Sequence, residues 1–154
     1  MVLTEDDLAK VSAFLSDLET TDPPDAARVR RQRQAPRPDW SRMDLPAIDR
    51  AYRSFWLAQT GTAIRAHVER YGPDFQRIIH DDLPRLLGYC QDVLEDQRIH
   101  GTWPRPDACQ LLSAYLTRAR RYDLARRVEL GFQRHVVRSV PHNQRRASAA
   151  PPRD

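Results

Sequence analysis

Residues 106–138 read PDACQLLSAYLTRARRYDLARRVELGFQRHVVR, and this stretch decides the fold. Ala108, Leu111, Leu112, Tyr115, Leu116 and Ala119 recur at the i, i+3, i+4, i+7, i+8 spacing of one buried helical face. Beyond the charged turn at Arg120-Arg121, Leu124, Val128, Gly131, Phe132 and His135 repeat the pattern. The spacing predicts two amphipathic helices closed into a hairpin. Asp107 is the expected cap of the first, with Gln110 three residues on as its capping-box partner. Arg127, Arg134 and Arg138 fall on a strip beside the second apolar face.

Upstream the same periodicity continues. Leu83, Leu86, Leu87, Cys90, Val93 and Leu94 form a clean stripe that Gly101 closes. Pro84 near its start implies a helix boundary around Asp81 to Leu83. Ile48, Tyr52, Phe55, Trp56 and Ala63 mark the most aromatic segment, opened by Asp44 and Pro46 and either bent or interrupted at Gly61. Gly72-Pro73 ends it, and a short helix carries Phe75, Ile78 and Ile79. At the N-terminus Thr4 reads as a cap, with Asp7 three residues on and Leu3 set to staple against Leu8. Leu8, Val11, Leu15 and Leu18 then make a narrow stripe, a candidate helix-docking face that packs in cis, exchanges between subunits or enters a partner's groove.

No segment alternates like a strand between hairpin turns. The expectation is therefore an all-α protein: a compact bundle of about five or six helices with a C-terminal hairpin and a tethered N-terminal helix. Its organisation reads as an amphipathic helix at 1–20, a basic Pro-rich linker at 21–45, a helical core at 46–140 and a disordered basic tail at 141–154.

Composition bounds the function. The chain has 154 residues, 25 Lys and Arg against 21 Asp and Glu, and a formal charge of +4. Lys10 is its single lysine, so the basic residues are almost all arginine, a composition that a GC-rich genome also produces. Two cysteines on apolar helix faces, Cys90 and Cys109, read as buried reduced thiols. An acidic start without an apolar leader and no membrane-length apolar run predict a cytoplasmic protein.

Residues 107–137 resemble one helical hairpin of the tetratricopeptide class, through Leu111, Leu112, Tyr115, Leu116, Ala119, Arg121-Tyr122-Asp123, Leu124, Ala125 and Val128. That resemblance implies peptide or protein binding. Residues 83–99 do not repeat the spacing, and the early Trp and Gly and the late Pro of the fuller motif are absent. A generic helical hairpin is the reading, without membership of a family.

Nothing marks catalysis. His80-Asp81-Asp82 is the one compact cluster of ligand-type residues, and its carboxylates suit a helix start before Pro84. Neither cysteine belongs to a CxxC pair, the five glycines are isolated, and Ser113 and Ser148 lack the context of a nucleophile elbow. No catalytic, cofactor-binding or metal-binding residue is assigned, and no cofactor is expected.

Two binding readings remain. The first is a non-enzymatic protein-interaction or regulatory adaptor, acting on a protein partner or by self-association, with no role at membranes. The alternative is an arginine-rich nucleic-acid-binding protein. It would contact phosphates, or an acidic partner, through Arg28, Arg30, Arg31, Arg33 and Arg37 of 28–37 and through Arg120, Arg121, Arg127, Arg134 and Arg138 of 118–138.

Overall fold

Side-chain caps from the residue just ahead open four of the helices. In the computed structural model, residues 2–33, 39–59 and 62–139 are described, and the side chains of residues 30, 32, 33, 54–59 and 137–139 are not. The expected tail at 141–154 and Arg37 therefore lie outside the described residues, as do the side chains of Arg30, Arg33 and Arg138.

Helix α1 spans Glu5–Thr20. The Thr4 hydroxyl accepts from the Asp7 amide at 3.1 Å and the Asp7 carboxylate accepts from the Thr4 amide at 3.0 Å, closing the expected capping box. A second helix, α2, covers Ala26–Arg33, its first amides held by the Asp25 carboxylate. α3 spans Leu45–Gln59 and α4 spans Ala63–Tyr71. α5 is Phe75–Ile79, and α6 is Leu83–His100, opened by Asp82, whose carboxylate accepts from the Arg85 amide at 3.1 Å. α7 covers Pro106–Arg118 and α8 covers Tyr122–Ser139. A single 3-10 turn, Trp40–Arg42, precedes α3. Among the described residues there are eight α-helices and no strand. The number exceeds the five or six expected because α2 forms inside the presumed linker and because α3 and α4 are separate helices.

α6 is the central element: α1, α2, α4, α5 and α7 all pack on it, and α8 packs on α7, α1 and α2. One continuous apolar cluster joins Leu15 and Leu18 of α1, Phe75 and Ile79 of α5, Leu86 and Cys90 of α6, Leu112 and Leu116 of α7, and Val128 and Phe132 of α8. Helix α1 is thus a full member of the core. Gly131 shows how closely it docks. A Cβ built there would stand 2.5 Å from Leu18 Cδ2, so only glycine admits the α1 side chain at this crossing.

α7 ends in a Schellman-type cap. The Arg121 amide donates to the Leu116 carbonyl at 2.9 Å and the Arg120 amide to the Thr117 carbonyl at 2.9 Å. Arg120 takes the left-handed position with φ of 57°, where glycine is usual. The start of α7 differs from expectation. Asp107 lies inside the helix, and no side chain caps Arg105, the residue before it. Instead Asp107 Oδ2 accepts from Tyr89 Oη at 3.1 Å and from Gln76 Nε2 at 3.1 Å, tying α7 to α6 and α5. Asp107 Oδ1 stays on its own helix start, accepting from the Ala108 amide at 3.0 Å.

Candidate functional site

The arginines of α7 and α8 were one candidate surface, and most of those described bond to their own chain. Arg127 grips Glu19 of α1 with both arms of its guanidinium, at 2.7 and 2.8 Å. That hydrogen bond holds the Glu19 carboxyl below the usual range. Arg134 Nη2 donates to the carbonyls of Leu18 at 2.8 Å and Thr21 at 2.6 Å, and Nη1 stands 3.7 Å from Asp22. These are the terminal carbonyls of α1, whose last turn carries no basic residue of its own. Arg134 supplies from α8 the cation and donor that α1 lacks. His135 adds Nε2 at 3.2 Å from the Leu18 carbonyl, while its Nδ1 faces Gln97 Oε1 at 3.0 Å.

Arg121 pairs with Asp123 at 3.0 and 2.8 Å and pushes that carboxyl down to about 2. Arg118 closes the α5–α6 corner by donating to the His80 carbonyl at 2.7 Å and to Asp81 at 2.8 Å. The trio His80-Asp81-Asp82 is therefore divided among structural tasks. Asp82 caps α6, Asp81 receives Arg118, and His80 Nδ1 sits 2.7 Å from the Arg77 carbonyl. Arg28, Arg31 and Arg120 are exposed.

The candidate docking stripe of α1 is occupied in cis. Val11 and Leu15 are 0 % exposed and Leu18 is 1 % exposed, while Leu8 packs partly buried against the same cluster. Of its three expected uses, packing on its own body is the one realised in this fold.

A different helix is left over. Among the described residues, α3 shares no extended interface with any other helix. Leu45 at its start is 82 % exposed and Tyr52 is 51 % exposed. The Trp40 ring of the preceding turn lies 6.5 Å from that of Tyr52. Ile48, Tyr52, Phe55 and Trp56 recur at i, i+4, i+7, i+8, the spacing that lays an apolar stripe along one face of a helix. Its charges are balanced: Asp49 pairs with Arg53 at 3.0 Å, and Asp44 caps the start through the Ala47 amide at 2.9 Å.

Other reactive side chains are committed to packing. His67 is caged by the rings of Tyr71, Phe75 and Tyr89, with centroids 5.9, 5.5 and 4.8 Å away, and its Nε2 lies 3.0 Å from Asp92. Sequence reasoning passed over Asp96, which is buried and accepts from the Ala63 amide and the Thr62 hydroxyl, capping α4 from α6. Cys90 is fully buried and donates to the Ala108 carbonyl; burial drives its thiol far above the ordinary range and that of Cys109 to about 11. Among the described residues no group of three or more His, Cys, Asp or Glu could hold a metal ion, and no helix is long and apolar enough to cross a membrane. Compared with known proteins, the chain matches no family model, no curated protein and no solved structure.

Proposed function

We propose that this chain is a non-enzymatic protein-interaction module, that α3 is its docking element, and that the first partner of α3 is a second copy of the chain. The observation that carries the reading is a helix with an aromatic, amphipathic sequence that shares no extended interface with another helix among the described residues. Exposed apolar side chains such as Leu45 and Tyr52, on a helix of this pattern, support a contact surface. A helix with anchors at i, i+4, i+7 and i+8 suits a groove or a facing helix.

The argument for a second copy is charge. An antiparallel pair of α3 helices centred on Tyr52 sets Ile48 opposite Trp56 of the other copy and brings Asp49 near the other Arg53. Each polar flank then meets its complement, and the two-fold arrangement is the commonest form of association. The phosphate-binding alternative is weaker because Arg121, Arg127 and Arg134, three of its expected contacts, already bond to carboxylates or carbonyls of the same chain.

Sedimentation equilibrium across a concentration series tests the reading. The expected result is a mass rising from monomer toward dimer, with an Ile48→Asp, Trp56→Asp double variant staying monomeric and keeping its helical circular dichroism. A wild-type chain that stays monomeric throughout overturns self-association through α3.

A further inference from the structure

His135 of α8 is buried where the end of α1 and the middle of α6 meet it, and both its ring nitrogens face oxygen atoms. Nε2 lies 3.2 Å from the Leu18 carbonyl in the last turn of α1, and Nδ1 lies 3.0 Å from Gln97 Oε1. The Gln97 amide is oriented by its other end, because its Nε2 donates to the His135 carbonyl at 3.1 Å. Turned over, that amide would set its oxygen against a carbonyl oxygen. Both ring partners are therefore acceptors. A neutral imidazole has one N–H and one bare lone pair, so neither tautomer satisfies both contacts. The imidazolium, with two N–H groups, satisfies both.

A buried cation needs negative surroundings. The Leu18 carbonyl belongs to the negative end of the α1 dipole. His135 also lines a cavity of about 410 Å³, where Asp17 and Asp22 stand on the α1 side and Asp92 and Glu95 on α6. Asp92 lies 3.0 Å from the His67 ring of α4. Of the cations, Arg98 on the same cavity pairs with Glu95. Arg134, the residue before His135, donates to the Leu18 and Thr21 carbonyls and stands 3.7 Å from Asp22. Asp25, Arg28 and Arg31 at α2 are exposed, and Asp107 and Arg118 of α7 bond to Tyr89 and Asp81. The cavity lets solvent reach the ring. We propose that His135 carries both ring protons in the folded chain and acts as a pH-sensitive latch: losing one proton sets a lone pair against an oxygen and loosens the end of α1. Because folding holds the second proton, the latch is fully closed below the ordinary histidine value of about 6.5 and opens as pH rises through the folded value. The latch does not involve α3 and stands apart from the self-association reading.

Long-range proton–nitrogen correlation spectra of the full chain test this at about pH 7, where an ordinary histidine is mostly neutral. The expected result is two protonated ring nitrogens of similar shift for His135. One protonated and one bare nitrogen, far apart in shift, overturns the proposal. Urea unfolding between about pH 6 and about pH 9 then compares the wild type with His135→Gln, in which the other histidines titrate alike and cancel. The ratio of the two unfolding constants should shrink about tenfold toward unity across that range. Over the same range amides in the last turn of α1 should lose protection from hydrogen exchange while those of α7 keep theirs. A constant ratio, or α1 protection that does not fall, overturns the latch. Should the variant fail to fold, the wild-type spectra and exchange decide it.

Discussion

Helices α1 and α3 look alike as sequence and differ as structure. α1 has 16 residues and α3 has 15, and each carries one apolar stripe. The stripe of α1 is buried against α6 and α8, while α3 shares no extended interface with another helix among the described residues. The difference lies less in the stripes than in what faces them. α8 offers α1 a glycine notch at Gly131 and two side chains, Arg134 and His135, that reach its terminal carbonyls. A helix end that is satisfied by its neighbour docks in one register. α3 opens on its own Asp44 cap and carries an ion pair, Asp49 with Arg53, within the same helix.

The largest test of this contrast is a pair of truncations. Leu15→Ala in the buried stripe of α1 should cost about 2–5 kcal/mol in urea unfolding. Leu45→Ala at the exposed start of α3 should stay within about 0.5 kcal/mol. Equal costs would mean that α3 is packed into the core after all.

A pair of glycine substitutions sharpens the docking register. Gly131→Ala improves helix propensity by up to about 1 kcal/mol yet drives a methyl into Leu18. The overpacking penalty is the larger, and the net expectation is a loss of about 1–2 kcal/mol. Nothing lies within 4 Å of a Cβ built at Gly88. Gly88→Ala should therefore stabilise by about 0.5–1 kcal/mol. Thermal unfolding of both variants decides it, and a stabilising Gly131→Ala would show that α1 slides freely on α8.

Arg134→Ala comes next. It strips donors from the Leu18 and Thr21 carbonyls and should cost about 1–2 kcal/mol. Hydrogen exchange should quicken in the last turn of α1 and leave α3 unchanged.

The smallest effect is the ion pair of Arg127 and Glu19, whose side chains are 44 % and 38 % exposed. Arg127→Ala should cost about 0.5 kcal/mol at neutral pH. The Glu19 carboxyl sits below its ordinary value in the folded chain because of Arg127. Its contribution is therefore complete above the ordinary carboxylate range and disappears as pH falls through the folded value. Wild type and variant should converge in stability under acid, and a gap that persists there would mean that the arginine acts through packing.

Much of the architecture was written locally. Thr4 with Asp7, Asp82 before Pro84 and Gly101 after α6 act within one helical turn, so their neighbours in sequence are their neighbours in space. The apolar faces of α6, α7 and α8 follow from the same short period. Part of the candidate surface was legible too, since the spacing of Ile48, Tyr52, Phe55 and Trp56 marks a stripe without any structure.

What the sequence could not decide is which partner each side chain takes. Asp107 adds Tyr89 and Gln76 to the amide it holds at its own helix start, Asp96 caps a helix that begins 33 residues earlier, and Arg134 reaches a carbonyl 116 residues away. Periodicity states that a face is apolar or a residue charged. Only the packed arrangement, by setting distances between remote segments, determines that the α1 stripe is covered and its arginine neighbours engaged. Among the described residues the same arrangement gives α3 no extended interface with another helix.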